Sequence, residues 1–430
     1  MKNAVATQTD VLIVGAGASG LMAARELAKT GKKIIILEAR DRIGGRIMPL
    51  SEADFGYPAQ GGGEFVHGEA PVTKALIQEA GLTFVPESED GEVWATRNGP
   101  LALHKSFIEG NQILKEKLEK LESDVSIAEF LETHFGTEEY ASLRNSILKM
   151  VEGYEAADPR RVSTFTLKSV WFGKKYHADG WIKEGYGALL NFLKKEIEGN
   201  NGEIIFNSPV VSIESTIGKV IVKTSNKSFE AAKVIVTVPL PVLKSIEFTP
   251  DISEKIALAP KIGYGSAIKL LIKFKSQWWK KATPNDLSKL SFALCNDDFT
   301  AWWTQYPIET NVMVGWMAGP NVEKNKNLSD DELLDLGILA LANTFTVDKE
   351  FLRNQIETWK IINWSNDPYA LGAYSYTAMD TADAYERLAE PVDNTVFFAG
   401  EAMYTGEETA TVEGALGSGK EVAGSIRAVG

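Results

Sequence analysis

The patterned part of the chain begins with a continuous apolar run, Val11 to Val14. A short unbroken run rich in β-branched residues is the pattern of a parallel strand buried on both faces. A glycine-rich turn follows, and Leu21, Ala24, Leu27 and Ala28 then recur as a helix that stops near Gly31. Lys33 to Leu37 repeats the buried-strand pattern and completes a βαβ unit. From about Ala75 to Asn200 the texture changes to charged amphipathic helix, in which Leu114, Leu118 and Leu121 share one face and Ser126 with Glu129 makes a capping box. Short β-branched runs return at Glu203 to Phe206, Lys219 to Thr224 and Val234 to Val238, broken by Asn, Gly and Pro turn signals. A mixed segment from about Gly263 to Asp380 carries strands, a helix capped by Ser329 with Glu332, and most of the tryptophans. Thr395 to Ala399 reads as a strand, followed by a Gly- and Thr-rich loop and a closing helix to Arg427. With no internal repeat or low-complexity tract, the pattern predicts two interleaved domains. One comprises residues 1–75, 200–262 and 390–430, the other 76–199 and 263–389.

Composition narrows the class. The 430 residues are 44% hydrophobic and 24% charged, the balance of a globular chain rather than a disordered or fibrous one. Lys plus Arg number 45 against 58 Asp plus Glu, a net charge of −13. So acidic a chain lacks the broad positive field on which nucleic-acid or anionic-membrane binding draws, and neither partner is expected. The one cysteine, Cys295, allows no internal disulfide, and four scattered histidines show no metal-ligand spacing, so no metal site is expected. Met1 to Asp10 lack an apolar signal core, and no apolar run approaches the ~18 residues of a membrane span. The chain therefore reads as soluble and cytoplasmic.

Gly15-Ala16-Gly17-Ala18-Ser19-Gly20 stands straight after a strand and opens a helix, where a dinucleotide fingerprint must stand. The first glycine allows the tight turn, the second lets backbone approach a pyrophosphate, and the third lets helix pack on strand. The diphosphate is thereby left on the positive helix terminus, beside Ser19. Glu38 ends the second strand about 20 residues further on, where an acid accepts hydrogen bonds from ribose hydroxyls and disfavours a 2′-phosphate. This unit alone does not separate FAD from NAD.

The next segment does. Glu38-Ala39-Arg40-Asp41-Arg42-Ile43-Gly44-Gly45-Arg46 resembles the flavin-containing amine oxidase family, which includes monoamine oxidases, polyamine oxidases and the lysine-specific histone demethylases. In that family the Gly-Gly-Arg stretch runs beneath the flavin and the diphosphate. The resemblance thus implies FAD, with Ala39, Arg40, Gly44 and Gly45 against the cofactor and Arg46 near its phosphates. The likeness continues in order through Val234 to Pro239, Phe248-Thr249-Pro250, Gly263 to Lys269, Trp364, Asp367-Pro368-Tyr369, Gly372 to Ser375, Phe398 to Glu401 and Thr411 to Gly414. It further implies that Val210 meets the adenine and that Gly400, Glu401, Thr411 and Val412 hold the ribityl and diphosphate region. Gly62, Gly63 and Glu64, in the loop Gly61 to Gly68, are implied to border the cofactor as well. The fold class implied is α/β, a Rossmann-type FAD-binding domain interleaved with a mixed α+β substrate-binding domain.

Lys269 interrupts an apolar stretch, Ala267 to Ile272, on the same alternating face as Ala267 and Leu271. A buried lysine needs a partner or a task; the alternative is an edge-strand lysine facing solvent, with Lys273 as the fallback if the strand register is shifted. In the family this lysine holds a water at flavin N5, a role the resemblance carries to Lys269. Tyr374 matches the aromatic residue that faces the flavin and sandwiches the substrate amine. Its neighbour Ala373 stands where monoamine oxidases carry the cysteine bonded to the flavin, so FAD is expected to bind noncovalently. The second aromatic wall of monoamine oxidases falls on Thr411, and Trp364 packs either beside the flavin or in the core. Glu64 departs from most relatives. A carboxylate there suits the distal ammonium of a diamine or polyamine, or else pairs with His67 or a nearby arginine. Trp302, Trp303, Trp316 and Met317 line an aromatic pocket or pack the core.

The resemblance implies FAD-dependent oxidation of a small primary or secondary amine, diamines and polyamines included. The amine α-carbon gives a hydride to flavin N5, the imine hydrolyses to aldehyde or ketone, and dioxygen is reduced to hydrogen peroxide. Two alternatives keep the fold: an L-amino-acid oxidase, for which Arg160 and Arg161 are unplaced cations, or an amine dehydrogenase. A noncatalytic flavoprotein is a third. The helical insertion of the demethylases and the membrane helix of mitochondrial monoamine oxidases have no counterpart in the sequence. A homodimer is compatible with the resemblance.

Overall fold

The computed structural model describes residues 7–96, 99–104, 108, 111–172, 179–379, 381, 383–406 and 408–429; residues 1–6 of the N-terminal tail lie outside this set. The two unbroken apolar runs form neighbouring parallel strands, Thr7–Val14 and Ile34–Leu37, with Val11 opposite Ile34 and Val14 opposite Leu37. Their β-branched side chains suit a pleated surface covered on both sides. Glu203–Ile205 extends the sheet in parallel beyond the second strand. On the other flank the strand Ser228–Val236 runs parallel to the first, placing Leu12 opposite Val234. Its far half also takes Val396–Phe398, while its near half begins an antiparallel run through Lys219–Thr224 and Val210–Thr216. Glu247–Thr249 closes an eight-stranded sheet.

Three helices cover one face of this sheet: Ala18–Ala28, Gly185–Gly199 and Val412–Ala428. Leu21, Ala24, Leu193, Ile197, Leu416 and Ala423 interlock there with Ile13 and Ile36. The opposite face buries Leu12, Val14, Val222, Leu243 and Phe398.

A second, seven-stranded sheet is built mainly from the mixed segment. Its order is Ile356–Asn363, Ala267–Phe274, Val312–Ala318, Ala301–Trp303, Leu290–Leu294, Glu92–Ala95, Ala102–His104. The strand Ala267–Phe274 is therefore interior: Lys269 lies between Trp316 on one neighbour and Ile362 on the other. The helix Asp330–Phe345 packs against this sheet, and its N-terminus carries the reciprocal capping box between Ser329 and Glu332. At Ser126 only half of the predicted box forms, the hydroxyl accepting from the Glu129 N–H at 3.2 Å.

Helices within residues 111–172 share a core in which Leu114 and Leu118 are buried and Leu121 packs at its edge, as the periodicity predicts. Among its described residues the segment from 75 to 200, read as helical, also holds four strands of three or four residues. Runs so short carry too few alternations to announce themselves against helical neighbours. Among the described residues no helix is long and apolar enough to cross a membrane.

Candidate active site

The glycine turn is shaped by two close contacts. Gly15 sits at φ +104°, where a side chain would also strike Thr237, and a Cβ on Gly20 would lie 2.0 Å from the Gly15 carbonyl oxygen. The helix Ala18–Ala28 can approach the strand only because neither carries a side chain. A Cβ on Gly17, in contrast, would meet nothing within 4 Å and would project into open space. Beside that space the Ser19 hydroxyl is buried without a partner among the described residues. The carboxylate of Glu38 accepts from the N–H of Ala16 at 2.7 Å and of Arg40 at 2.8 Å, which pins it at the strand end.

This space opens into a continuous cavity of about 1260 Å³. An ordinary ligand pocket holds roughly 300–1,000 Å³, so there is room for a dinucleotide and a further small molecule. All the residues singled out as cofactor-binding line it: Gly15, Gly17, Ser19, Glu38, Ala39, Arg40, Gly44, Gly45, Arg46, Gly62, Gly63, Glu64, Val210, Gly400, Glu401, Thr411 and Val412, with the exception of Gly20, which is spent on helix packing. Lys269, Trp364 and Tyr374 line it too.

Long-range pairs hold the walls. Arg40 forms an ion pair with Asp367 and lies 5.3 Å over the Tyr369 ring, which ties the fingerprint segment to the Asp-Pro-Tyr motif. Arg46 donates to the Ala373 carbonyl at 2.6 Å and to Glu401 at 2.8 Å. Burial works against the Arg46 charge, but the Tyr264 phenol and the Glu401 carboxylate outweigh it and raise its pKa. The other Glu401 oxygen accepts from the Ser375 hydroxyl at 2.6 Å, next to Tyr374. Thr411 caps the closing helix, its hydroxyl accepting from the Gly414 N–H and donating to the Glu408 carbonyl. The Trp364 indole is buried and donates to the Gly61 carbonyl at 3.1 Å, and the residue lines the cavity.

Lys269 is 1% exposed. Its ammonium donates to Glu64 at 2.6 Å and to the Gly62 carbonyl at 3.2 Å, and stands 5.3 Å from the Trp303 ring. The second Glu64 oxygen accepts from the Gln305 amide at 3.0 Å. Glu64 is thus neither a surface acid nor a partner of His67 or an arginine; a buried lysine claims it because a lone charge there would be far costlier. Lys273 pairs with Glu357 and is partly exposed. His67 faces Asp179, Nδ1 to Oδ2 at 2.9 Å, and the other Asp179 oxygen accepts from the Gly68 N–H.

Tyr374 forms part of an aromatic chamber at one end of the cavity, with Phe65, Tyr154, Trp171, Trp303 and Trp316. Its hydroxyl donates to the Tyr154 carbonyl at 2.6 Å. Burial pushes its pKa well above the usual phenol range, and the neighbouring Glu155 and Tyr154 add to the rise. Trp302 and Met317, by contrast, are fully buried in the core of the second sheet. The residue missed from the sequence is Glu155. It lines the chamber and accepts from the Trp171 indole at 2.9 Å, and burial raises its pKa to about 7. In the sequence it is one acid among several after a charged helix, and the small residues Ala156 and Ala157 that follow were the available hint.

An α/β nucleotide fold with a glycine turn, a carboxylate at the second strand end and an adjoining aromatic chamber defines a dinucleotide-dependent enzyme of small molecules. Residues 18–427 match the family described as flavin containing amine oxidoreductase, and the chain belongs to that family. It is 28% identical to probable polyamine oxidase 4 of Arabidopsis thaliana, across 92% of this chain and 82% of that protein. Among solved structures, wild-type putrescine oxidase bound to putrescine superposes with a TM-score of 0.81 at 19% identity, over 98% of this chain and 100% of that one. Cyclohexylamine oxidase from Brevibacterium oxydans IH-35A superposes with a TM-score of 0.81 at 20% identity, over 98% and 99%. The chain is an FAD-dependent amine oxidoreductase. Its own features fit that cofactor: open space over Gly17, an unpartnered buried hydroxyl at Ser19, a pinned acid at Glu38 and a cavity larger than one small ligand needs.

Proposed function

We propose that the chain is an oxidase of small primary or secondary amines, diamines and polyamines included, that releases an aldehyde or ketone and hydrogen peroxide. FAD, when bound, supplies the acceptor for the hydride of the amine α-carbon and the route of those electrons to dioxygen. The observation that carries this reading is the meeting of Lys269 and Tyr374 on the cavity that the glycine turn opens into. Gly15, Gly17, Ser19, Glu38 and Val210 line its nucleotide end, and Arg46, Glu401 and the capped terminus at Thr411 and Val412 its middle. The aromatic chamber receives the amine against Tyr374. Its apolar walls exclude water and disfavour a charged nitrogen, which keeps the amine in the reactive neutral form. Lys269, held by Glu64, presents a fixed donor to the cavity and holds a water there.

FAD is bound noncovalently in this reading. Ala373 offers no thiol beside Tyr374, and the Cys295 thiol is buried, donates to the Phe299 carbonyl and is pushed up to about 11 by burial. An amino-acid oxidase would need a cation to clamp the carboxylate. The two arginines available for that role face elsewhere: Arg160 is exposed against Asp158, and Arg161 donates to the Pro260 carbonyl.

The test is the anaerobic absorbance of the yellow protein titrated with monoamines, diamines and L-amino acids. Bleaching by amines, with peroxide formed on admitting air, is expected. Bleaching by amino acids alone, or by nothing, overturns the reading, and amine bleaching without peroxide reassigns the chain as a dehydrogenase.

A further inference from the structure

The cavity is rich in carboxylates, and their hydrogen bonds sort them. Glu38 is held by two backbone N–H groups, Glu64 by Lys269 and Gln305, Glu401 by Arg46 and Ser375, and Asp179 by His67 and the Gly68 N–H. Glu155 differs. One oxygen accepts from the Trp171 indole; among the described residues the other meets no donor, although the side chain lines the cavity. It is also joined to the amine end of the chamber, because the Tyr374 hydroxyl donates to the carbonyl of the preceding residue, Tyr154.

An alkyl amine arrives as an ammonium at neutral pH, since such groups have pKa values near 10.4. The chemistry of the proposed function needs the neutral amine. An ammonium and a carboxylate together in an apolar chamber are two desolvated charges, and moving one proton between them removes both. We propose that Glu155 is the group that takes this proton, delivering the neutral amine to the face of Tyr374. The step is R–NH3+ plus Glu155 carboxylate giving R–NH2 plus Glu155 carboxylic acid, with no other reactant. It rests on the amine oxidase reading and adds to it the site of proton acceptance.

The surroundings favour that exchange. The titratable and charged groups about Glu155 are the His67 imidazole and the Tyr154 and Tyr374 phenols, with Asp179 bonded to His67, and Glu87 and Lys149 elsewhere on the cavity wall. None is an ion-pair partner of Glu155 among the described residues. Burial therefore dominates and raises its pKa to about 7, so it is ionised and ready to accept at pH 8 but holds a proton readily once transferred. The Trp171 indole fixes the carboxylate while leaving one oxygen for the nitrogen.

The test compares the FAD-loaded protein and Glu155→Gln by calorimetry at pH 8, in buffers of different ionisation enthalpy. The probes are tert-butylamine and tert-octylamine, which have no hydrogen on the carbon bearing nitrogen and cannot be oxidised there. Wild type is expected to bind with close to zero protons released, because the proton stays on Glu155, and Glu155→Gln with about one proton released per amine bound. A second readout is anaerobic flavin reduction by a bleaching amine. At pH 7.5 Glu155→Gln should reduce on the order of 100-fold more slowly, as loss of a positioned base predicts, and should approach wild type near pH 10. Equal proton counts overturn the proposal, as does weaker binding of the variant with an unchanged count, which would make Glu155 a cation anchor. If neither probe binds while other amines bleach the flavin, a reduction rate of Glu155→Gln unchanged across pH overturns it and leaves the oxidase reading standing. Failure of every amine to bleach wild type removes the oxidase reading first, and this step with it.

Discussion

The pair of Lys269 and Glu64 makes a quantitative demand on stability. The side chains are 2% and 5% exposed and 2.6 Å apart, with Gly62 and Gln305 completing their hydrogen bonds. Removing one partner of such a pair strands a charge in the protein interior, at a cost of about 3–5 kcal/mol. Unfolding entropy near 60 °C is about 2.1 cal/mol/K per residue, which for a chain of 430 residues is roughly 0.9 kcal/mol/K. Lys269→Met or Glu64→Gln alone should therefore lower Tm by about 3–6 °C if the chain unfolds as a unit. The double variant removes both charges, keeps an amide at 64 to face Gln305, and should regain most of that loss. Scanning calorimetry on the four proteins of the cycle measures the coupling directly. Single variants that melt within 1 °C of wild type, or a double variant that loses the sum of the two, would refute a buried coupled pair.

Four further outcomes follow from the same geometry. Gly17→Ala adds a methyl group to open space and should leave the apoprotein Tm unchanged while weakening FAD loading, read from the ratio of flavin to protein absorbance. Gly20→Ala would place a methyl group 2.0 Å from the Gly15 oxygen and should destabilise the apoprotein itself, by at least the ~1–3 kcal/mol typical of overpacking. Glu155 holds a proton more tightly in the folded chain than unfolded, so its burial costs nothing at low pH and costs progressively more as pH rises from about 4.5 to about 7. Glu155→Gln should then be more stable than wild type at pH 8, by on the order of 1–3 kcal/mol, with the gain gone by pH 4.5; equal stability at both pH values would contradict the burial. Acid precipitation should release the flavin to the supernatant, and flavin retained on the denatured chain would contradict noncovalent binding.

Much of the nucleotide end was readable from local pattern. Val11 to Val14, the glycine turn and Ile34 to Leu37 encode a βαβ unit because strand burial, positive φ and close helix approach are each decided by a few adjacent residues. The capping box at Ser329 is local in the same sense, and so is Lys269 as a charge within an apolar strand. The partners are not local. Lys269 and Glu64 are 205 residues apart in the chain, and Arg40 and Asp367 are 327 apart. Nothing in either segment names the other; the register of the second sheet against the Gly61–Gly68 loop decides the first pair. The same reason hid Glu155. Its chemistry comes from the burial and the indole that Trp171 brings to it, which exist only once the helices of residues 111–172 close over the cavity. The sequence by itself determined a dinucleotide turn and a family of reactions. The tertiary structure decided which carboxylate is neutralised by the buried lysine and which keeps only an indole donor on the cavity wall among the described residues, because charges in a low-dielectric interior are settled by neighbours in space.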